Sequence, residues 1–187
     1  MTNSIKITAN HINKRSLLTA SIALAMLSGC ATQMYSQAGL PAPVQVPTGN
    51  AVVLETVGVG EITYECRAKK DNTGFEWVFA GPDAKLNDRA GKQIGRYYGP
   101  PATWESSDGS KLTGAQVAVA PATPGSIPLQ LVKANPVTGT GAMQGVTYIQ
   151  RVATKGGVAP SSTCDTAAVG KRAIVPYQAD YIFYKTR

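Results

Sequence analysis

The 187 residues carry 18 Lys and Arg against 11 Asp and Glu, a formal charge of +7, with 43% hydrophobic and 16% charged residues. That balance is enough to build a globular core and excludes an intrinsically disordered chain. The cations are scattered, with no basic block and no aromatic–basic interleaving, so nucleic acid is not an expected partner.

The first element is a leader over residues 1–29. Lys6, Lys14 and Arg15 form a basic region, Leu17 to Leu27 an apolar run, and Ser28-Gly29 a small-residue end. An apolar run of about a dozen residues is too short to span a bilayer, which needs roughly 20, and suits a secretory signal. Leu27-Ser28-Gly29-Cys30 resembles the lipobox of bacterial lipoproteins. The resemblance implies cleavage before Cys30 and diacylglyceration of its thiol, giving an anchor of two or three acyl chains that holds a membrane durably. Ala31, where an aspartate would signal retention, implies the periplasmic face of the outer membrane. Once the leader's three cations are removed, 15 basic and 11 acidic residues remain, a net of +4. The sole histidine, His11, leaves with the leader. The exported part then has no imidazole for a Ser-His-Asp or Cys-His unit or for a metal site, and no metal or other cofactor is expected.

Residues 30–48 show no 2- or 3.6-residue period and contain Pro41, Pro43 and Pro47, which reads as a tether with an outstretched reach of roughly 60 Å. Residues 49–187 read as one all-β domain, a sandwich or barrel of short antiparallel strands. Expected strands are Val52–Thr56, a run alternating through Ile62, Tyr64 and Cys66, then Phe75–Ala80, Lys92–Tyr98, Thr103–Ser106, Lys111–Ala120, Leu129–Ala134, Val146–Thr154 and Ala179–Lys185. Turns are expected at Asp71–Gly74, Gly81-Pro82-Asp83, Asp88–Gly91, Gly99-Pro100-Pro101, Asp108-Gly109 and Asn135-Pro136. Val146–Thr154 carries apolar groups on both faces, so it is expected at the centre of a sheet. Cys164–Val169 can form one helical turn behind Asp165.

Cys66 and Cys164 remain once Cys30 is assigned to lipid, and export makes a disulfide between them the default. Gly58-Val59-Gly60 lacks the third glycine and the following helix of a dinucleotide loop. Glu105 and Asp108, beside Trp104, offer the paired carboxylates of a glycoside hydrolase, or simply decorate a hairpin. Tyr97, Tyr98 and Trp104 around the proline-rich turn either stack on a ligand or close the end of the core. Asp83, Asn87 and Asp88 could supply oxygen ligands to calcium, but their spacing matches turn chemistry better.

Tyr64-Glu65-Cys66, Thr103-Trp104-Glu105, Asp108-Gly109-Ser110, Val146 to Val152, Cys164-Asp165 and Val175-Pro176-Tyr177 follow one another in an order that resembles the domain of unknown function numbered 3455. The resemblance spans about residues 45 to 185 and implies an exported protein with no established activity. Where relatives often have His-Tyr before the Gly-Pro turn, this chain has Tyr97-Tyr98. The function expected is that of an envelope lipoprotein acting as a lipid-anchored binding or structural module, its partners the membrane and an envelope polysaccharide or protein. A histidine-free glycan hydrolase using Glu105 and Asp108 is the alternative.

Overall fold

The computed structural model describes Met1 and residues 35–187. The leader, Cys30 and the first residues of the expected tether therefore lie outside the described residues. Residues 35–187 form one unit.

Eight antiparallel strands follow one another round a closed barrel. They are β1 (Asn50–Ala68), β2 (Phe75–Asn87), β3 (Gln93–Tyr98), β4 (Thr103–Ser106), β5 (Lys111–Ala120), β6 (Leu129–Ala134), β7 (Val146–Gly156) and β8 (Arg172–Thr186). Closure comes from β1, which pairs along one edge with β2 and along the other with β8, from Asn50 opposite Thr186 to Glu65 opposite Arg172. A closed sheet leaves no edge strand to pair with another chain.

Two expected strands, Val52–Thr56 and the run through Ile62 to Cys66, are one 19-residue strand. Gly58 and Gly60 do not break it, because both allow a close approach inside the barrel. A Cβ on Gly58 would stand 2.6 Å from the Tyr181 ring, and one on Gly60 would meet the backbone of Asp83 and Ala84. The turn expected at Gly81-Pro82-Asp83 lies within β2. The ladder is irregular there, opposite Thr63 and Tyr64, and a Cβ on Gly81 would collide with the carbonyl of Gly99. Asp88 makes a turn as its type suggests, accepting from the Ala90 and Lys92 N–H groups at 2.9 Å each. Asp165 caps the 3-10 turn Thr166–Ala168 by accepting from the Ala167 and Ala168 N–H groups.

Inward side chains fill the barrel. Ile62, Tyr64, Leu86, Tyr97, Trp104, Leu112, Ile149, Tyr177, Tyr181 and Phe183 form its main core cluster. One end is crossed by the loop from Gly157 to Lys171, which Cys66–Cys164 ties to β1. Their Cα atoms are 5.5 Å apart and 98 residues separate them in sequence. Closing a loop of that length is worth up to about 4.7 kcal/mol in the chain-entropy account.

A second core lies outside the barrel wall. Residues 35–46 run across it as a strap, with a 3-10 turn at Ala42–Val44. Val44 and Val46 pack on Ala120, Leu131, Val152, Ile182 and Tyr184, which point outward from β5 to β8. This corrects the free tether expected over 30–48: from Tyr35 onward the segment is docked on the barrel. It also explains why β7 is apolar on both faces. In a closed barrel it has no central position to occupy; the strap covers its outer face.

Gln150 fixes the strap. This fully buried side chain accepts from the Tyr35 hydroxyl at 3.0 Å and the Tyr184 hydroxyl at 2.7 Å. It donates to Gln37 Oε1 at 2.9 Å and to the Val44 carbonyl at 2.7 Å. Gln37 in turn holds the Val46 backbone at both its N–H and its C=O. All four bonding positions of the amide are used, and burial pushes the Tyr35 phenol up to about 12. Gln150→Leu keeps the volume but orphans the Tyr184 hydroxyl and the Val44 carbonyl. At about 1–3 kcal/mol per unsatisfied buried group, the expected loss is about 2–6 kcal/mol, read as a lower urea midpoint, with earlier proteolysis in residues 35–46.

Candidate functional site

Strand parity divides the residues picked out by sequence. In β3 and β4, Tyr97 and Trp104 pair and point into the barrel, while Tyr98 and Glu105 point out. Trp104 is 1% exposed and Tyr97 4%, and their rings stack with centroids 4.7 Å apart. Tyr181 leans on both, at 4.9 Å from Tyr97 and 6.0 Å from Trp104. Of the two readings of these aromatics, core closure therefore holds for Tyr97 and Trp104, and neither offers a face to a ligand. Burial raises the phenols of Tyr97, Tyr177 and Tyr181, so all three stay neutral. The Tyr177 and Tyr181 hydroxyls lie 3.2 Å apart, whereas the Trp104 indole N–H has no partner among the described residues.

The two carboxylates sit in different surroundings. Asp108, in the β4–β5 turn, accepts at Oδ1 from the Ser110 N–H at 2.9 Å and the Ser110 hydroxyl at 2.6 Å. Its Oδ2 accepts from the Ala142 N–H at 2.8 Å, and Ser110 Oγ accepts from the Met143 N–H at 3.2 Å. These bonds fold the β6–β7 loop back so that Met143, 1% exposed, seals that end of the barrel. Gly141 is required there because a Cβ would run into the Asp108 carboxylate. The Ser110 hydroxyl, then the two N–H donors, hold Asp108 at about 2. A general acid must keep its proton near neutral pH, which Asp108 does not. Glu105 belongs to the outer wall, and its hydrogen-bond partner, Tyr98, is not among those of Asp108.

Of the three predicted aromatics, only Tyr98 is partly exposed. Its hydroxyl donates to Glu105 Oε2 at 2.8 Å, and that bond, before any burial, raises its pKa. The Arg96 guanidinium carbon lies 5.6 Å from the ring centroid, a cation–π distance. The ring forms a ridge between two clefts. One, of about 340 Å³, is lined by Thr63, Asp83, Gly99, Pro100 and Arg172. The other, of about 200 Å³, is lined by Thr103, Lys111, Thr113, Pro136 and Thr138. Outward positions on β2 to β5 carry mixed charge, with the cations Lys85 and Arg96 side by side and Glu105 between Arg96 and Lys111. The wall thus combines an aromatic ring with closely spaced donors and acceptors.

Sequence reasoning missed the Gln150 clamp, although Tyr148, Gln150 and Val152 already marked an outward face too apolar for water. It also missed a surface network in which Arg89 donates to Glu55 Oε2 at 2.8 Å and to Asp180 Oδ2 at 2.6 Å across the β1–β8 seam. Only folding brings those three residues together.

The family model described as "Protein of unknown function (DUF3455)" matches residues 47–185. No curated protein and no solved structure matches the chain.

Asp108→Asn should lower the melting temperature at pH 7. A carboxyl whose pKa falls from 3.8 unfolded to about 2 folded stabilises the fold above pH 3.8 and loses that contribution as pH drops through 2. The gap between wild type and variant should therefore be full at neutral pH and close as the melting series descends from pH 4 to pH 2.

Proposed function

Because this chain belongs to the DUF3455 family, whose description carries no activity, we propose from its own residues that it is an exported, lipid-anchored module that binds cell-envelope glycan on the wall around Tyr98. The observation that carries this reading is the Tyr98 ridge. An aromatic face flanked by two shallow polar clefts suits a sugar chain, whose C–H faces stack on rings while its hydroxyls meet carboxylates, guanidinium groups and threonines. The filled interior favours the same side of the wall, since the barrel axis is occupied by Tyr97, Trp104, Tyr181 and their neighbours. The Cys66–Cys164 bond supports export, because such bonds persist in oxidising compartments. Glu105 serves here as an acceptor that orients Tyr98 and receives sugar hydroxyls. Asp108 clips two loops together, so hydrolysis by this pair has no support from its surroundings.

Binding is tested with the unlipidated domain on peptidoglycan and lipopolysaccharide. Tyr98→Ala should reduce retention at least tenfold, the effect of losing about 1.4 kcal/mol, with an unchanged melting temperature. Equal retention by wild type and Tyr98→Ala would place the glycan elsewhere. The anchor is tested separately: Cys30→Ser should leave an uncleaved or soluble product, seen in its mass and in membrane fractionation.

A further inference from the structure

The docked strap and the lipid site lie close in sequence. Tyr35 is held by Gln150 of β7 and sits five residues after Cys30. At no more than ~3.6 Å per residue, the acylated cysteine lies within roughly 18 Å of the docked point. That is less than a third of the reach of a free segment from 30 to 48. We propose that the strap fixes the orientation of the barrel on a lipid surface, with the wall of β7 and β8 toward the headgroups and the Tyr98 wall away from them. The inference rests on acylation of Cys30.

Ring order supplies the direction. In a closed ring of eight, β3 and β4, which carry Tyr98 and Glu105, stand opposite β7 and β8, which carry Gln150 and Tyr184. The strap's apolar contacts, to Ala120, Leu131, Val152, Ile182 and Tyr184, all lie on β5 to β8. The strap's docking site and the Tyr98 wall thus lie on opposite sides of the barrel. Docking, more than chain length, sets the stand-off: if Tyr35, Gln37, Val44 and Val46 let go, residues 31–48 become a leash of roughly 60 Å and the orientation is lost.

The test uses the full-length protein, processed in cells, purified and reconstituted into phospholipid vesicles that carry a headgroup quencher. A dye is attached through a non-cysteine handle at Ala38, exposed on the strap, or at Lys85, exposed on β2. Emission at Ala38 should be strongly lost and that at Lys85 largely kept. A twelve-residue Gly/Ser insertion between residues 34 and 35, which leaves the strap and barrel intact, should remove the difference. Gln150→Leu should do the same where it still folds. Acylated, vesicle-bound protein with equal quenching at both positions overturns the orientation alone, as does a difference that survives the insertion. Protein of unacylated mass that stays out of the vesicle fraction overturns the anchor, and the orientation with it.

Discussion

The long strand β1 hydrogen-bonds to β2 on one side and to β8 on the other, and that double pairing turns a meander into a ring. The rest of the structure depends on it. Inward residues acquire a common interior only because the sheet returns to its start, and Tyr181 of β8 reaches Tyr97 and Trp104 across that interior. The seam is crowded, and Gly58 and Gly60 are the residues that make it possible. One leaves room for the Tyr181 ring and the other lets β1 lie close to β2. A side chain at either would press on the point where the ring closes. The disulfide and the Asp108–Ser110–Met143 contacts then secure opposite ends of a cylinder already defined by its seam.

Much of the strand inventory was legible. Thr103–Ser106, Lys111–Ala120 and Leu129–Ala134 have the bounds expected of them, because Gly-Pro-Pro, Asp-Gly and Asn-Pro punctuate the chain on either side. The inward placement of Cys66 followed from alternation with Glu65 and Arg67. Closure did not follow, since a period of two describes a strand in a sandwich and a strand in a barrel equally well. Four residues, Thr103 to Ser106, are also too few to reveal which parity faces the core. Trp104 was therefore open to two readings, and its neighbour on the surface partner strand, Tyr98, could be singled out only once the phase was known.

The strap was hidden for a different reason. Proline and the lack of any period mark residues 35–48 as irregular, but irregular backbone can still be packed tightly when its polar groups find partners. Here the partner is Gln150, 106 residues beyond Val44. The visible sign was a surplus: Tyr148 and Val152 place apolar groups outward on a strand that also supplies Ile149 to the interior. A strand with two apolar faces asks for two covers, and only one can be the barrel.

Parity along β3, β4 and β5 separates two tasks that often compete in one segment. Gly95, Tyr97, Trp104 and Leu112 serve cohesion, while Arg96, Tyr98, Glu105 and Lys111 face outward. Change on the outer set leaves the packing beneath untouched, whereas change on the inner set threatens folding. Such an arrangement lets the outer wall vary while the scaffold stays the same.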